Sequence, residues 1–85
     1  MQLLQVTIGA GPTPISTTSL NVFQLDIQNN NPSHVCRIGD GTVSATKGIQ
    51  LAGGSPGDSY HWGVQTNLLN WWVFGVPGDV IDLIY

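Results

Sequence analysis

Apolar and polar residues alternate along most of this chain, and turn-forming residues interrupt the alternation roughly every eight to twelve positions. Alternation of this kind places every second side chain on one face and predicts half-buried β-strands. The chain lacks a long run with the period of an amphipathic helix. We therefore expect an all-β protein, a small antiparallel β-sandwich or barrel-like fold of about seven short strands. The predicted strands are residues 3–8, 20–28, 34–38, 48–52, 59–64, 71–76 and 79–85.

The alternation also predicts which side chains point into the core. In the second strand Phe23, Leu25 and Ile27 share one face, while the residues between them are polar. In the fourth strand Ile49 and Leu51 are expected to point inward together.

Three connecting segments have their own local signals. Residues 13–19 contain a proline and several hydroxyl residues and are predicted to form a loop. Residues 66–70 are expected to form a single helical turn capped by Thr66. Pro77 and Gly78 suit the two central positions of a type II turn.

The length and the cysteine content limit how this fold is stabilised. With 85 residues, the chain is expected to form one domain that spans residues 1–85. Its single cysteine, Cys36, excludes an internal disulfide. A β-domain of this size has only a few kcal/mol of net stability, and further burial at a subunit interface would add to it.

Ionised side chains are scarce. The chain has two basic residues, Arg37 and Lys47, five aspartates and no glutamate. Charged residues make up 8% of the sequence, against about 25% in a typical domain. Charges on edge strands normally prevent sheets from associating edge to edge, and this chain has few available for that purpose.

The same charge balance excludes two classes of partner. Two basic side chains and a net charge of -3 cannot neutralise a row of phosphates, so neither nucleic acid nor an anionic membrane surface is expected to bind. The first residues lack a basic segment followed by a long apolar stretch, which is not the pattern of a signal peptide or membrane anchor. Synthesis in a cytoplasm is therefore expected.

Two residue groups contain side chains that occur in catalytic or metal sites. His34 and Cys36 lie two apart on a predicted strand and so share a face, but no third metal ligand is near them in the sequence. Residues 58–61 (Asp-Ser-Tyr-His) contain the residue types of a hydrolase triad, whereas such triads are assembled from separate segments. We expect structural roles for both groups, and no enzymatic activity or cofactor.

The aspartates raise the possibility of a calcium site, with Asp40 between two glycines as the best candidate. Calcium requires six to eight oxygen ligands from a dense cluster, and the chain has no Asp-x-Asp-x-Asp spacing. Asp79 and Asp82 are three apart on a strand and face opposite sides. Stabilisation of turns is the expected role of these carboxylates.

The aromatic residues are the strongest candidates for a binding surface. Residues 67–76 carry no charge, and adjacent tryptophans within them must point to opposite faces of one strand. One of the two is expected in the core and the other outside it. Core burial, a protein–protein anchor and a sugar-stacking platform all fit this pattern. The candidate interface residues are Tyr60, Trp62, Trp71, Trp72 and Phe74.

Three segments resemble small virion proteins of tailed bacteriophages, the head decoration, cement or fibre-associated proteins. They are residues 37–40 (Arg-Ile-Gly-Asp), 46–55 (Thr-Lys-Gly-Ile-Gln-Leu-Ala-Gly-Gly-Ser) and 75–81 (Gly-Val-Pro-Gly-Asp-Val-Ile). In such proteins a strand that ends in Gly-Asp precedes a Gly-hydrophobic-x-Leu strand, and the chain closes with Gly-Asp-Val. The resemblance implies a repeated structural role on a capsid or tail and supplies no catalytic residues.

Residue chemistry and resemblance together predict a non-enzymatic capsid decoration or cement protein, located in the virion after synthesis in the host cytoplasm. Its expected partners are copies of itself, with a trimer favoured, and a major capsid or other virion protein. Burial of roughly 600 Å² of apolar area per subunit would contribute on the order of 15 kcal/mol before the costs of association. The alternative is a carbohydrate-binding module for host-surface glycans that uses exposed tryptophans.

Overall fold

A computed structural model describes residues 2–85, and within that range it contains ten short strands and one 3-10 turn. The strands are β1 Leu3–Thr7, β2 Thr13–Pro14, β3 Asn21–Val22, β4 Leu25–Asn29, β5 Cys36–Gly39, β6 Ile49–Leu51, β7 Ser59–Trp62, β8 Thr66–Asn67, β9 Trp72–Phe74 and β10 Val80–Ile84. The 3-10 turn is Leu68–Asn70. The prediction of an all-β fold is confirmed.

The strands form two four-stranded antiparallel sheets and a short ribbon. The first sheet has the order β1-β10-β4-β7, and the second has the order β2-β9-β5-β6. Strands β3 and β8 pair with each other and continue the β4–β7 pair beyond the first sheet. The two sheets pack their apolar faces together, which gives the sandwich-like arrangement that the alternation predicted.

The core lies between the two sheets and follows the period of two along each strand. Ile27 and Leu83 are register partners on the inner face of the first sheet, and both are fully buried. Ile38 and Val73 are register partners in the second sheet and are equally buried. Packing of these aliphatic side chains removes apolar surface from water and is the main source of stability.

The expected inward direction of Phe23 is wrong, since this side chain is 85% exposed. Strand β3 ends at Val22 and β4 begins at Leu25, and both of those side chains are buried. Two inward residues three positions apart cannot belong to one regular strand, so the alternation loses its phase between them. Phe23 lies in this interruption and points into solvent.

The inward direction expected for Ile49 is also wrong, whereas that of Leu51 is confirmed. Ile49 is 43% exposed although it pairs with the fully buried Ile38. Strand β6 is an edge strand of only three residues, and Ile49 is its first. A side chain at the end of an edge strand has neighbours on fewer sides, so it lies at the rim of the core.

The predicted helical turn is present, but its cap differs from the expected one. Asn67 caps it, because its side-chain oxygen accepts a hydrogen bond from the N–H of Leu69 at 2.9 Å. The Thr66 hydroxyl instead accepts a hydrogen bond from the indole Nε1 of Trp71 at 3.0 Å. Within residues 2–85, no helix has the length and apolar character needed to cross a bilayer.

The other two connections largely match the prediction. Gly78 has a φ of +94°, and the N–H of Asp79 donates to the Val76 carbonyl at 3.1 Å, as a type II turn at residues 77–78 requires. The segment predicted as a loop at residues 13–19 begins with the two-residue strand β2.

Asn29 is the buried polar residue that joins the two sheets. Its side chain is 1% exposed. Its amide nitrogen donates to the His34 carbonyl at 2.8 Å and to the Leu51 carbonyl at 3.0 Å. One side chain on β4 therefore satisfies two backbone acceptors, one of them at the end of β6.

Replacement of Asn29 by alanine should lower the free energy of unfolding by about 2 kcal/mol, because both carbonyls lose a buried donor. Urea denaturation followed by tryptophan fluorescence measures this change. Asn30→Ala is the matched control, since Asn30 is exposed and its hydrogen bond to Val80 comes from the backbone. Equal stabilities of the two variants would contradict the assigned role of Asn29.

Candidate interaction surfaces

Three of the five predicted interface residues lie on the inner side of the sandwich. Trp71 is 9% exposed and belongs to the core. The ring of Trp62 contacts it edge-on with the centroids 5.4 Å apart, and the Tyr60 ring lies 6.5 Å away. Trp62 and Tyr60 are partly buried hydrophobic residues packed against the core. This aromatic group contributes mainly to the stability of the domain.

The indole Nε1 of Trp62 is buried and has no hydrogen-bond partner among residues 2–85. A sugar-stacking platform needs an open ring face, and an indole N–H that reaches the ligand supports it. Within this aromatic group, neither the buried ring of Trp71 nor the enclosed N–H of Trp62 offers such a platform.

Trp72 and Phe74 lie on the outer face of the second sheet. Strand β9 alternates around the fully buried Val73, so its two neighbours point away from the core. Trp72 is therefore the outward member of the tryptophan pair. The alternation in the sequence predicts that one of the two points outward but does not indicate which. Its ring lies over Gly41, where a Cβ atom would come within 3.4 Å of Trp72 Cε2.

Two exposed valines extend this outer aromatic pair. Val35 and Val76, together with Phe74, line a shallow depression of about 250 Å³. We call this surface the Trp72 face and define it by Val35, Trp72, Phe74 and Val76.

Arg37 lies beside Phe74 in the sheet register and holds the adjoining loop, residues 40–48. Its Nε donates to the Ala45 carbonyl at 3.1 Å, and its Nη1 donates to the Gly48 carbonyl at 3.0 Å. Its Nη2 reaches the Gln50 side-chain oxygen at 3.0 Å. The other basic residue, Lys47, belongs to the same loop and lines a different depression, with Asp40, Val43 and Ile49.

Asp40 stabilises the start of this loop, as expected from the sequence. Its carboxylate accepts hydrogen bonds from the hydroxyl and from the backbone N–H of Thr42. The hydroxyl bond first, and the backbone bond second, lower the pKa of Asp40 below its usual value. Asp58 acts similarly at another turn, where it accepts the N–H of Ala52 at 3.0 Å.

A second apolar surface lies at the far end of β10. Leu3 pairs with Ile84 in the sheet register, and Leu3 is 73% exposed. Ile84 also lines a groove of about 380 Å³ with Leu20, Phe23 and Tyr85. We call this surface the Phe23 face and define it by Leu3, Leu20, Phe23, Ile84 and Tyr85.

The lining of the groove is free of ionised side chains. Besides the apolar residues, it contains only the amides Asn21 and Gln24 among residues 2–85. The nearest charge in the sheet register is Asp26 opposite Ile84, and Asp26 is paired with His61 at 2.7 Å. The groove of the Phe23 face is therefore apolar, whereas Asp26 and Asp82 line a neighbouring depression with Leu3 and Ile84.

Sequence reasoning missed the Phe23 face because it assigned Phe23 to the core. A usable signal exists in the sequence: Val22 and Leu25 are both large aliphatic residues and are three positions apart. One regular strand cannot bury both, so a break in the strand at residues 23–24 could have been inferred.

The candidate catalytic residues, His34 with Cys36 and the segment 58–61, each have separate structural partners. The side chain of His34 pairs with Asp79, with 2.8 Å between Nδ1 and Oδ2, while Cys36 is buried in the core. His61 pairs with Asp26 through Nδ1, and its Nε2 lies near Gly63, the residue that follows β7. Asp58 is engaged with its own turn. The residues of the 58–61 segment therefore have different partners.

Asp79 and Asp82, two of the carboxylates considered as metal ligands, also have separate hydrogen-bond partners. Asp79 accepts hydrogen bonds from Asn31 and pairs with His34, whereas Asp82 accepts the Gln5 amide at 3.0 Å. Within residues 2–85, no three His, Cys, Asp or Glu side chains are grouped closely enough to hold a metal ion.

Comparison of the chain with protein-family profiles, curated proteins and solved structures finds no match. The two apolar faces are therefore interpreted from their own geometry and chemistry.

Burial makes the single thiol unreactive. Burial first, and the negative charge of Asp79 second, raise the pKa of Cys36 to about 11. At pH 8 about one thiol in a thousand is then ionised in the folded protein, against roughly one in four in the unfolded chain.

Modification of Cys36 by a thiol reagent at pH 8 should be at least about 100-fold slower in the folded protein than in concentrated urea. A colorimetric disulfide reagent measures both rates directly. Similar rates in the two conditions would show that Cys36 is accessible and would contradict its burial.

Proposed function

We propose that this chain is a non-enzymatic structural protein of a tailed-bacteriophage virion. It decorates or cements the capsid by packing against copies of itself and against a major capsid protein. The resemblance of residues 37–40, 46–55 and 75–81 to small virion proteins points to this class. The observation that carries the proposal is the presence of two separate exposed apolar faces on so small a domain.

The two faces are far enough apart to serve two partners at once. The Phe23 face contains Ile84, the last residue of β10. The Trp72 face contains Val76, which lies four residues before β10 begins, so the whole length of that strand separates the two residues. Five residues of extended chain span roughly 13 Å or more. A subunit that cements a particle needs this arrangement, with one surface for its copies and another for the shell.

The apolar area supports a need for more than one contact. Phe23, Leu3, Leu20 and Ile84 together expose on the order of 300 Å² of apolar side chain. Burial of that area would contribute about 8 kcal/mol before the costs of association. This free energy is about half of the 15 kcal/mol expected for a subunit whose stability depends on assembly. Burial of a second face would supply the remainder.

The chemistry of the Trp72 face suits a different protein better than a second copy. A two-fold contact between identical Trp72 faces would bring the Arg37 side chains of both copies together and oppose like charges. A capsid surface with acidic groups around an apolar patch would complement them. Tryptophan and arginine are also the residues most enriched at strong interface positions.

Replacement of Trp72 by serine should weaken binding to undecorated capsids by about 2 kcal/mol, roughly 30-fold, while the domain still folds. Trp72 is half-buried on the outer face of the sheet, so its loss removes contact area without opening the core. The measurement is co-sedimentation of the purified protein with capsids of the phage that carries it, over a range of protein concentrations.

Leu69→Ser is the matched control, because Leu69 is exposed on the 3-10 turn and outside the Trp72 face. Its affinity for the capsids should equal that of the wild type. No co-sedimentation of the wild type at micromolar concentration would overturn the proposed function. Quenching of tryptophan fluorescence by a glycan, abolished by Trp72→Ser, would favour the carbohydrate-binding alternative instead.

A further inference from the structure

The Phe23 face carries both a protruding side chain and a hollow that accepts one. The Phe23 ring is 85% exposed and stands at the border of the groove formed with Leu20, Ile84 and Tyr85. The groove volume of about 380 Å³ lies within the range of pockets that hold small organic ligands. A phenyl ring therefore fits into it with room for neighbouring atoms.

Identical surfaces meet most readily where their charges do not repel, and the groove of the Phe23 face satisfies that condition, while Asp26 and Asp82 lie on its Leu3 side. The chain carries a net charge of -3, so two copies repel each other weakly overall and associate best through a charge-free surface. The groove lining has apolar side chains and neutral amides. Asn21 and Gln24 at its border can both donate and accept hydrogen bonds, so each can pair with its own copy.

The exposed area is adequate for a weak dimer. A standard interface buries about 800 Å² per partner, of which somewhat more than half is apolar. Phe23, Leu3, Leu20 and Ile84 supply on the order of 300 Å², or about two-thirds of that apolar share. Such a contact is expected to have a dissociation constant in the micromolar range.

We propose that the occupant of the Phe23 face is a second copy of this chain, in a two-fold dimer in which each Phe23 ring enters the groove of the other subunit. Because the ring and the groove belong to one face, the contact closes on itself after two copies. A trimer requires the two complementary surfaces to lie on different faces. This inference deepens the proposed function, since it assigns one of the two apolar faces to self-association.

The first experiment is sedimentation velocity on the purified protein between about 10 μM and 1 mM, a range that brackets the expected dissociation constant. The wild type should change from monomer to dimer over this range, and Phe23→Ser should shift the midpoint at least tenfold upward. Val76→Ser removes an exposed apolar side chain from the other face and should leave the midpoint within twofold of the wild type. Circular dichroism verifies that all three proteins are folded.

A charge exchange tests the two-fold geometry without loss of apolar surface. Gln24 is exposed, borders the groove and follows Phe23, so the Gln24 side chains of both copies lie near the contact. Gln24→Glu and Gln24→Lys should each dimerise at least tenfold more weakly than the wild type. An equimolar mixture of the two variants should recover dimerisation, because opposite charges then face each other.

Contact between the named residues can be observed directly. In an equimolar mixture of ¹³C-methyl-labelled and unlabelled protein, isotope-filtered NMR should show contacts between the unlabelled Phe23 ring and the labelled methyl groups of Leu20 and Ile84. The absence of such contacts in a dimeric sample would overturn the proposal.

Three further outcomes would also overturn it: a wild type that is monomeric at 1 mM, a trimer in place of a dimer, or an unchanged midpoint for Phe23→Ser. These outcomes are distinguishable from failure of the proposed function. Capsid co-sedimentation of the wild type and of Trp72→Ser tests that function on the opposite face. A protein that is monomeric in solution but loses capsid binding on Phe23→Ser would assign this face to the capsid and refute self-association.

Discussion

The antiparallel pairing of β10 with two neighbours is the constraint on which the rest of the structure depends. This strand pairs with β1 on one side and β4 on the other, and Ile81 and Leu83 are its inward residues. A strand that buries these two side chains must turn Ile84 outward, where Leu3 is its partner. The outward position of Ile84 and Leu3 on the Phe23 face therefore follows from the register that builds the core.

The longer strands, the layered fold and the inward direction of Leu25, Ile27 and Leu51 could be predicted because they follow from a regular period of two. Phe23 and Ile49 were assigned wrongly because the period fails at each of them. One lies where the alternation loses its phase between Val22 and Leu25, and the other begins an edge strand. Pattern reasoning assumes a continuous strand with neighbours on both sides, and neither residue meets that assumption.

The candidate site was predicted in part for a related reason. Adjacent tryptophans must face opposite ways, but the sequence contains no signal for which of them faces the second sheet. Trp71 is inward because its indole N–H reaches Thr66 and its ring packs against Trp62. These contacts join residues that are five and nine positions apart and depend on the folded β7–β8 connection. The five candidate interface residues are thus divided between the core and one outer face.

Asn67 connects the ribbon to the wall of the Phe23 groove. Its side-chain oxygen accepts the N–H of Leu20 at 3.1 Å as well as that of Leu69, and its amide donates to the Ser19 hydroxyl at 2.7 Å. The segment that carries Leu20 is therefore positioned before any partner arrives. Two subunits that met here, as we propose, would dock as preformed bodies, without the entropic penalty of ordering a loop. Because each copy carries a net charge of -3, repulsion would slow the encounter, and the association rate should rise with ionic strength.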